Sequence, residues 1–264
     1  MTVYSDLFAY RELFGNLFRR DLQAKYKGSA LGVVWVLLPP LVLMGVYLLV
    51  FHVLWRAANV PHYSLYLLAG LAPWVFFATT VQAGSRAMLD NAPLIRKTRF
   101  PRQLVAFSVV GANVVTYAVT LVVLLVGVFV FVPESRATEL LAVPLAAVFV
   151  CFVAGFSLAI ASLNAIYRDV EHLVAALLLP WFFLTPVLYS LESIPGVQDH
   201  PRLVDLIHWG NPLTPAVEAV RDPLYYGVAP AAGDVVYVIV AAAASLAIGA
   251  LVFTRVDDRV AVEV

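Results

Sequence analysis

An all-α, polytopic membrane protein is the fold class this sequence predicts, and three observations predict it. Of 264 residues, 62% are apolar and 13% charged, where soluble proteins carry about 45–50% and about 25%. Mean hydropathy is +0.89, which asks for more exposed apolar surface than a water-soluble globule tolerates. The apolar residues also gather into six runs of bilayer-crossing length, with most charges held between them. A soluble enzyme is excluded, and so is a disordered chain, which needs low hydrophobicity and high net charge. Residues 1–264 read as one transmembrane domain: an interface helix over 1–30, spans over 31–190, a broken segment over 191–233, and a last span with its tail over 234–264.

The N-terminal stretch is interrupted by Asp6, Arg11, Glu12, Arg19, Arg20, Asp21, Lys25 and Lys27. It lacks the unbroken apolar core of a signal peptide and is expected to stay with the protein. On a helical wheel Ser5, Glu12, Asn16, Arg19, Arg20, Gln23 and Lys27 share one side, and Tyr4, Leu7, Phe8, Phe14, Phe18 and Leu22 the other. This predicts an amphipathic helix lying in the lipid interface beside anionic headgroups. Packing of that helix on the protein itself is the alternative.

At 1.5 Å per residue, the hydrocarbon layer of ~30 Å takes about 20 apolar residues. The six runs are Leu31 to Trp55, Ser64 to Met88, Leu104 to Val132, Glu139 to Asn164, Leu173 to Ser190 and Asp234 to Thr254. Pro39 and Pro40 predict a kink in the first. The fifth is short and interrupted by Pro180 and Pro186. Between the second and third lies a basic loop in which Asn91 suits a helix N-cap, Pro93 the first turn and Pro101 the stop. Leu94 and Ile95 are expected to project there beside Arg96, Lys97 and Arg99 as an apolar knob for a partner's groove; a loop serving orientation alone is the alternative. In 191–233, breaks at Ile194-Pro195-Gly196, Asn211-Pro212 and Thr214-Pro215 leave two short helices, with Thr214 as a cap and Glu218 and Arg221 spaced to pair. Neither can span, so the segment predicts a re-entrant helical hairpin covered by protein.

Thirteen Lys and Arg fall on the side holding both termini and four on the other (Arg56, Arg136, Arg202 and Arg221). The bias places both termini in the cytoplasm. The net charge is +0, which gives no basis for nucleic-acid binding. No phosphate-loop pattern is present, so ATP hydrolysis by this chain is not expected. No metal-ligand spacing occurs among its five histidines, and its one cysteine, Cys151, reads as a small buried hydrophobe. The spans hold almost no acid or base, against proton or sodium coupling. The driving energy is expected from a partner.

In order along the chain, KYKGSALGVVWVLLPPL, NAPLIRKTRFPRQL, NAIYRDVEHL, FFLTPVLYSLESIP and NPLTPAVEAVR resemble the membrane subunit of ABC-2 type polysaccharide exporters, the permeases for O-antigen, teichoic acid, capsule and galactan. The resemblance implies six membrane helices, a homodimer, and two copies of a separate subunit that holds ATP and magnesium. It implies that Asn91 to Arg99 couples to that subunit, with Tyr167, Arg168 and Asp169 as a second contact. Tyr26, Gly28, Leu31 and Gly32 would form the channel entrance, and the short helices after Pro186 the outer gate. For a sugar chain bound to lipid, Trp35, Tyr47, Phe51, Trp181, Phe182, Phe183 and Tyr189 are expected to offer sliding aromatic faces; packing between helices or facing lipid is the alternative. Two other functions stand beside polysaccharide export: a permease of the same topology for a drug or small lipid, and a membrane-embedded enzyme using Asp169, Glu171 and His172.

Overall fold

A computed structural model of the chain describes residues 3–26, 34–50, 61–97, 100–191 and 200–263, with side chains at all of these except 26, 34–37, 97 and 258–263. Among the described residues every regular element is helical. Helices α1 (Ser5–Ala9) and α2 (Arg11–Tyr26) precede α3 (Val34–Tyr47), α4 (Tyr63–Asp90), α5 (Ala92–Lys97) and α6 (Gln103–Phe131). Two 3-10 turns lead into α7 (Ala142–Ile166), followed by α8 (Val170–Leu184), α9 (Pro201–Gly210), α10 (Leu213–Arg221), a π turn at Asp222–Tyr226 and α11 (Ala232–Glu263).

Among the described residues, four helical stretches are long and apolar enough to cross a bilayer: Tyr63–Asp90, Gln103–Phe131, Glu139–Ile166 and Ala232–Asp257. They coincide with the second, third, fourth and sixth expected spans. The first and fifth correspond to shorter apolar helices, Leu38–Val50 and Val170–Leu184. With 15 residues, α8 reaches about 22 Å, less than the hydrocarbon thickness. Pro180 stays inside it, and the stop is Thr185, extended at ψ 130° ahead of Pro186. The fifth span therefore ends as a helix at Leu184 and continues to Leu191 as turns, where the sequence predicted it through Ser190.

Helix α4 is the hub. Leu67, Ala69, Leu71 and Phe77 are fully buried within it, and its neighbours α6, α7, α8, α10 and α3 surround it. Small residues set how closely those neighbours approach. A Cβ on Gly84 would lie 2.0 Å from Ser157 Oγ of α7. The tightest helix pair is α7 with α11, where a Cβ on Gly155 would meet Leu246 N at 2.4 Å and one on Gly249 would meet Gly155 O at 2.4 Å. Backbones in such contact gain dispersion and polar contacts that lipid cannot replace. Ser245 adds a bond of 2.7 Å to the Phe152 carbonyl. Cys151 is exposed on α7: it faces outward instead of filling the core.

The N-terminal helices pack on the protein, the alternative the sequence left open. Leu17 is buried against Leu104 and Val105, and Phe14 and Phe18 close over Gly111. Along the same seam Gln103 donates to Asp6 at 2.7 Å, Ser108 to Asp21 at 2.6 Å, and Lys25 to Asn113 at 2.7 Å. Gln103, Ser108 and Asn113 of α6 thus have structural partners. Desolvation near Asn113 lowers the Lys25 pKa to about 8, against the attraction of Asp21. Phe8 stays exposed.

Candidate functional site

The end of the bundle bearing α5 and the α7–α8 turn is the basic end. Asn91 does not cap α5 through its side chain. Its carbonyl accepts from Leu94 and Ile95 at 3.0 Å, while its amide donates back to Ala87 O at 2.8 Å, closing α4. The expected knob is half turned in. Ile95 is buried with Met88, Phe107 and Leu158, and Leu94 is half-buried beside Leu104 and Val105. Both side chains serve the protein's own packing, Ile95 fully and Leu94 in part. Pro93 and Arg96 are the exposed members. The Lys97 side chain and Arg99 lie outside the described residues.

Tyr167, Arg168 and Asp169 form an exposed turn tethered close to α5 through α4. Asn164 donates to Ser85 O at 2.9 Å and accepts the Glu171 N–H at 2.9 Å. Glu171 lies 3.7 Å from Arg86 and 3.8 Å from Nε2 of His172, whose ring is 79% exposed. These groups work as a helix-start clamp, and nothing in their geometry makes an acid–base pair facing a pocket.

Most described aromatics of the expected conduit wall pack inside the chain. Phe182 is buried, 5.2 Å from Trp74 and stacked 5.7 Å from Tyr47. Trp181 meets Phe77 edge-on at 5.2 Å and donates its indole N–H to Asn211 at 2.8 Å. Tyr189 donates to the Phe183 carbonyl at 2.8 Å. Phe183 alone of this described set is largely exposed, at 56%. Otherwise α8 is bare: Val174 and Phe182 are its buried residues, and Leu173, Leu177, Leu179 and Leu184 face outward. The side chains of Trp35 and Tyr26, and all of Gly28, Leu31, Gly32 and Phe51, lie outside the described residues.

At the opposite end, α9 and α10 occupy the region read as a hairpin; Ile194 and Pro195 lie outside the described residues. Neither helix can span at 10 and 9 residues. Pro212, and not Thr214, holds the N-cap position of α10, and Asn211 before it ties the break: its Oδ1 accepts from Leu213 N at 3.1 Å, and its amide donates to Thr185 Oγ1 at 2.9 Å. Thr214 donates instead to Ile207 O at 3.2 Å. Pro212 precedes the helix and Pro215 is buried within it. One asparagine therefore fastens the α9–α10 break to the end of α8.

Arg221 does not pair with Glu218. It is 2% exposed, lies 4.1 Å over the Tyr66 ring, and donates to Tyr66 Oη at 3.0 Å, Pro186 O at 2.8 Å and Val187 O at 2.8 Å. Pro186 exposes those carbonyls by ending α8, and the guanidinium fork answers them. Only glycine fits at position 70, where a Cβ would sit 2.2 Å from Arg221 Nη2. Glu218 goes to His208, whose Nδ1 lies 3.1 Å from it while Nε2 lies 2.8 Å from Asp234. Hydrogen bonds to Asp234 and then Glu218 raise the His208 pKa to about 10 against its burial. These three groups bring one ligand atom each within 4.8 Å of one another. Both ring nitrogens are already taken by carboxylates, which is an imidazolium clamp between α9, α10 and α11 and not a coordination geometry. Asp222 beside it is pushed up to about 6 by burial, then by Glu218 and Asp234. Sequence reasoning missed His208 and Asp234; the available signal was an acid at the mouth of an apolar run beside a helix carrying a histidine.

The comparisons with known proteins agree with this architecture. Residues 12–225 match the model of the ABC-2 type transporter family. The chain is similar to the O-antigen export system permease protein RfbA of Myxococcus xanthus, 36% identical over 189 residues that make up 72% of each chain. It is 32% identical over 185 residues to RfbA of Klebsiella pneumoniae, covering 70% of this chain and 71% of that one. With the polysialic acid transport protein KpsM of Escherichia coli it shares 22% over 218 residues, 80% of each. A multi-pass helical chain matched by that model over most of its length belongs to the ABC-2 type transporter family.

Proposed function

We propose that this chain is the permease subunit of an ABC transporter exporting a polysaccharide, working as a homodimer with two copies of a separate ATP-binding subunit. On this reading the polymer travels joined to a lipid carrier, the membrane is the bacterial cytoplasmic one, and both termini face the cytoplasm. ATP and magnesium belong to the partner, consistent with a sequence that carries no phosphate loop. The observation that carries the reading is the similarity to O-antigen export permeases across 72% of both chains.

The geometry supports a division of labour. The exposed Pro93, Arg96 and the turn at Tyr167 to Asp169 meet the ATPase at the basic end. ATP-driven closure pushes α5, and α4 passes the push to the helices around it. The short, bare α8 is the wall that tilts, and a second copy completes the conduit against its outward face. Tilting α8 carries α10 with it through Asn211 and Arg221, which couples the wall to the outer gate.

The test is co-expression of the chain with and without a candidate ATP-binding subunit, followed by measurement of surface polysaccharide. Export requires both polypeptides. A preparation of this chain alone that transports the polymer overturns the reading.

A further inference from the structure

Helices α3, α4 and α6, with Lys25 of α2, line a partly open cavity of about 300 Å³ whose walls include Lys25, Pro39, Pro40, Thr79, Asn113 and Tyr117. Its polarity is unusual for its place. Asn113, Thr116, Tyr117 and Thr120 follow i, i+3, i+4, i+7 spacing and so share one face of α6, within a run otherwise rich in valine and leucine. Val75 and Phe76 supply an apolar wall from α4.

Hydrogen-bond accounting separates structural polar groups from the one left over. Thr79 donates to Val75 O at 2.6 Å and Thr120 to Thr116 O at 3.1 Å, each spent on its own helix. Asn113 donates to Val109 O at 2.9 Å and accepts from Lys25. Tyr117 differs. It is 4% exposed and stacks on Phe76 at 4.7 Å, yet its hydroxyl finds no acceptor among the described residues. A buried O–H without an acceptor is rare and calls for an occupant.

Lys25 is the one charged side chain among the cavity's described walls. Asn113 takes one of the three donors its ammonium carries. Asp21, one turn earlier, is engaged by Arg20 and Ser108. The cavity thus has a cation with donors to spare at one end, an unmet O–H donor deeper, and an apolar flank for a chain. An anionic oxygen cluster attached to a hydrocarbon satisfies all three, and a molecule already in the membrane reaches the site without shedding a full hydration shell.

We propose that this cavity binds the phosphate ester headgroup of a membrane lipid, with Lys25 holding the phosphate and Tyr117 donating to an ester or hydroxyl oxygen. Two sources carry this chemistry: a bulk anionic phospholipid, and the phosphate-linked carrier of the exported polymer. The second source rests on the function proposed above.

The test uses the purified, delipidated full-length protein, titrated with phosphatidylglycerol, with a long-chain polyprenyl phosphate, and with zwitterionic phosphatidylcholine as control. Binding is read by native mass spectrometry and thermal shift. Loss of one charge-assisted bond in Lys25→Gln is expected to weaken binding about tenfold, and Tyr117→Phe about threefold, while Lys25→Arg stays within about twofold of wild type. Tyr117→Phe keeps the stack on Phe76 and so keeps the fold if Lys25→Gln does not. Response to either anionic lipid supports the site, and the lipid preferred names its source. Unchanged binding of both lipids in Lys25→Gln and Tyr117→Phe overturns it. Export in the same membranes separates the two proposals: a chain that exports while the variants bind lipid normally loses the site and keeps the function, and the reverse pattern keeps the site alone.

Discussion

Helices α4 and α8 are both apolar and both carry an internal proline, yet their surroundings differ completely. Helix α4 is wrapped by its own chain, with Leu67, Leu71 and Phe77 fully buried. Helix α8 buries Val174 and Phe182 and leaves a line of leucines outside. A helix wrapped at interior packing density tolerates little movement. A short helix held at few points can tilt, and its bare face is available to lipid or to a second copy. The difference teaches where packing concentrates: α4 is the hub, and α8 is held at few points, with its far end fastened by Asn211 and Arg221, which is why the proposed function makes α8 the wall that tilts.

The largest expected effect breaks that pin. Arg221→Met leaves the Pro186 and Val187 carbonyls without donors, at about 1–3 kcal/mol for each unmet buried group. Thermal unfolding in detergent is expected to show a loss of about 3 kcal/mol. A loss under about 1 kcal/mol would mean that α10 does not hold the end of α8. Next, Ile95→Ala is expected to cost about 2–3 kcal/mol as a core truncation, whereas Pro93→Asp leaves unfolding unchanged and reduces co-purification with the ATPase. Equal stability of the two variants would show Ile95 to be a contact residue after all.

Smaller effects sharpen the contrast between the helices. Leu177→Ala and Leu179→Ala on α8 are expected to stay within about 0.5 kcal/mol of wild type. With Cys151→Ser as background, Leu177→Cys is expected to cross-link two copies, read as a dimer band on a non-reducing gel. Monomer alone after oxidation counts against α8 as the shared wall. A further prediction follows pH. Because the folded His208 titrates near 10 and the unfolded one near 6.5, its contribution is complete below pH 6.5 and disappears as pH rises through 10. The stability advantage of wild type over His208→Gln should fall across that window, and an advantage independent of pH would refute the imidazolium clamp.

Much of this was legible in the chain because hydropathy acts locally. Four long spans stand where apolar runs stand, and the breaks at Pro186 and Asn211-Pro212 end helices because proline restricts its predecessor and removes a donor. What sequence missed depended on neighbours far along the chain. Thr214 is a good cap in isolation, but its hydroxyl bonds the Ile207 carbonyl, and Asn211 ties the start of α10 because it lies at once beside Leu213 N, Trp181 and Thr185. Glu218 and Arg221 have pairing distance along one helix, yet the carbonyls freed by Pro186 outbid the carboxylate, which found His208. The glycines that let helices touch are Gly155 and Gly249, 94 positions apart in number and so in no local motif.

Composition and periodicity by themselves determined that the chain lives in a membrane, how many apolar helices it makes and which end is basic, since burial of an apolar run in lipid needs no knowledge of its neighbours. Tertiary structure decided which helix became the hub, which stayed bare, where buried charges such as Arg221 found their partners and that the Tyr117 hydroxyl has no acceptor among the described residues. Those outcomes depend on which side chains meet across the bundle, and a buried polar group is settled only by the donors and acceptors that reach it there.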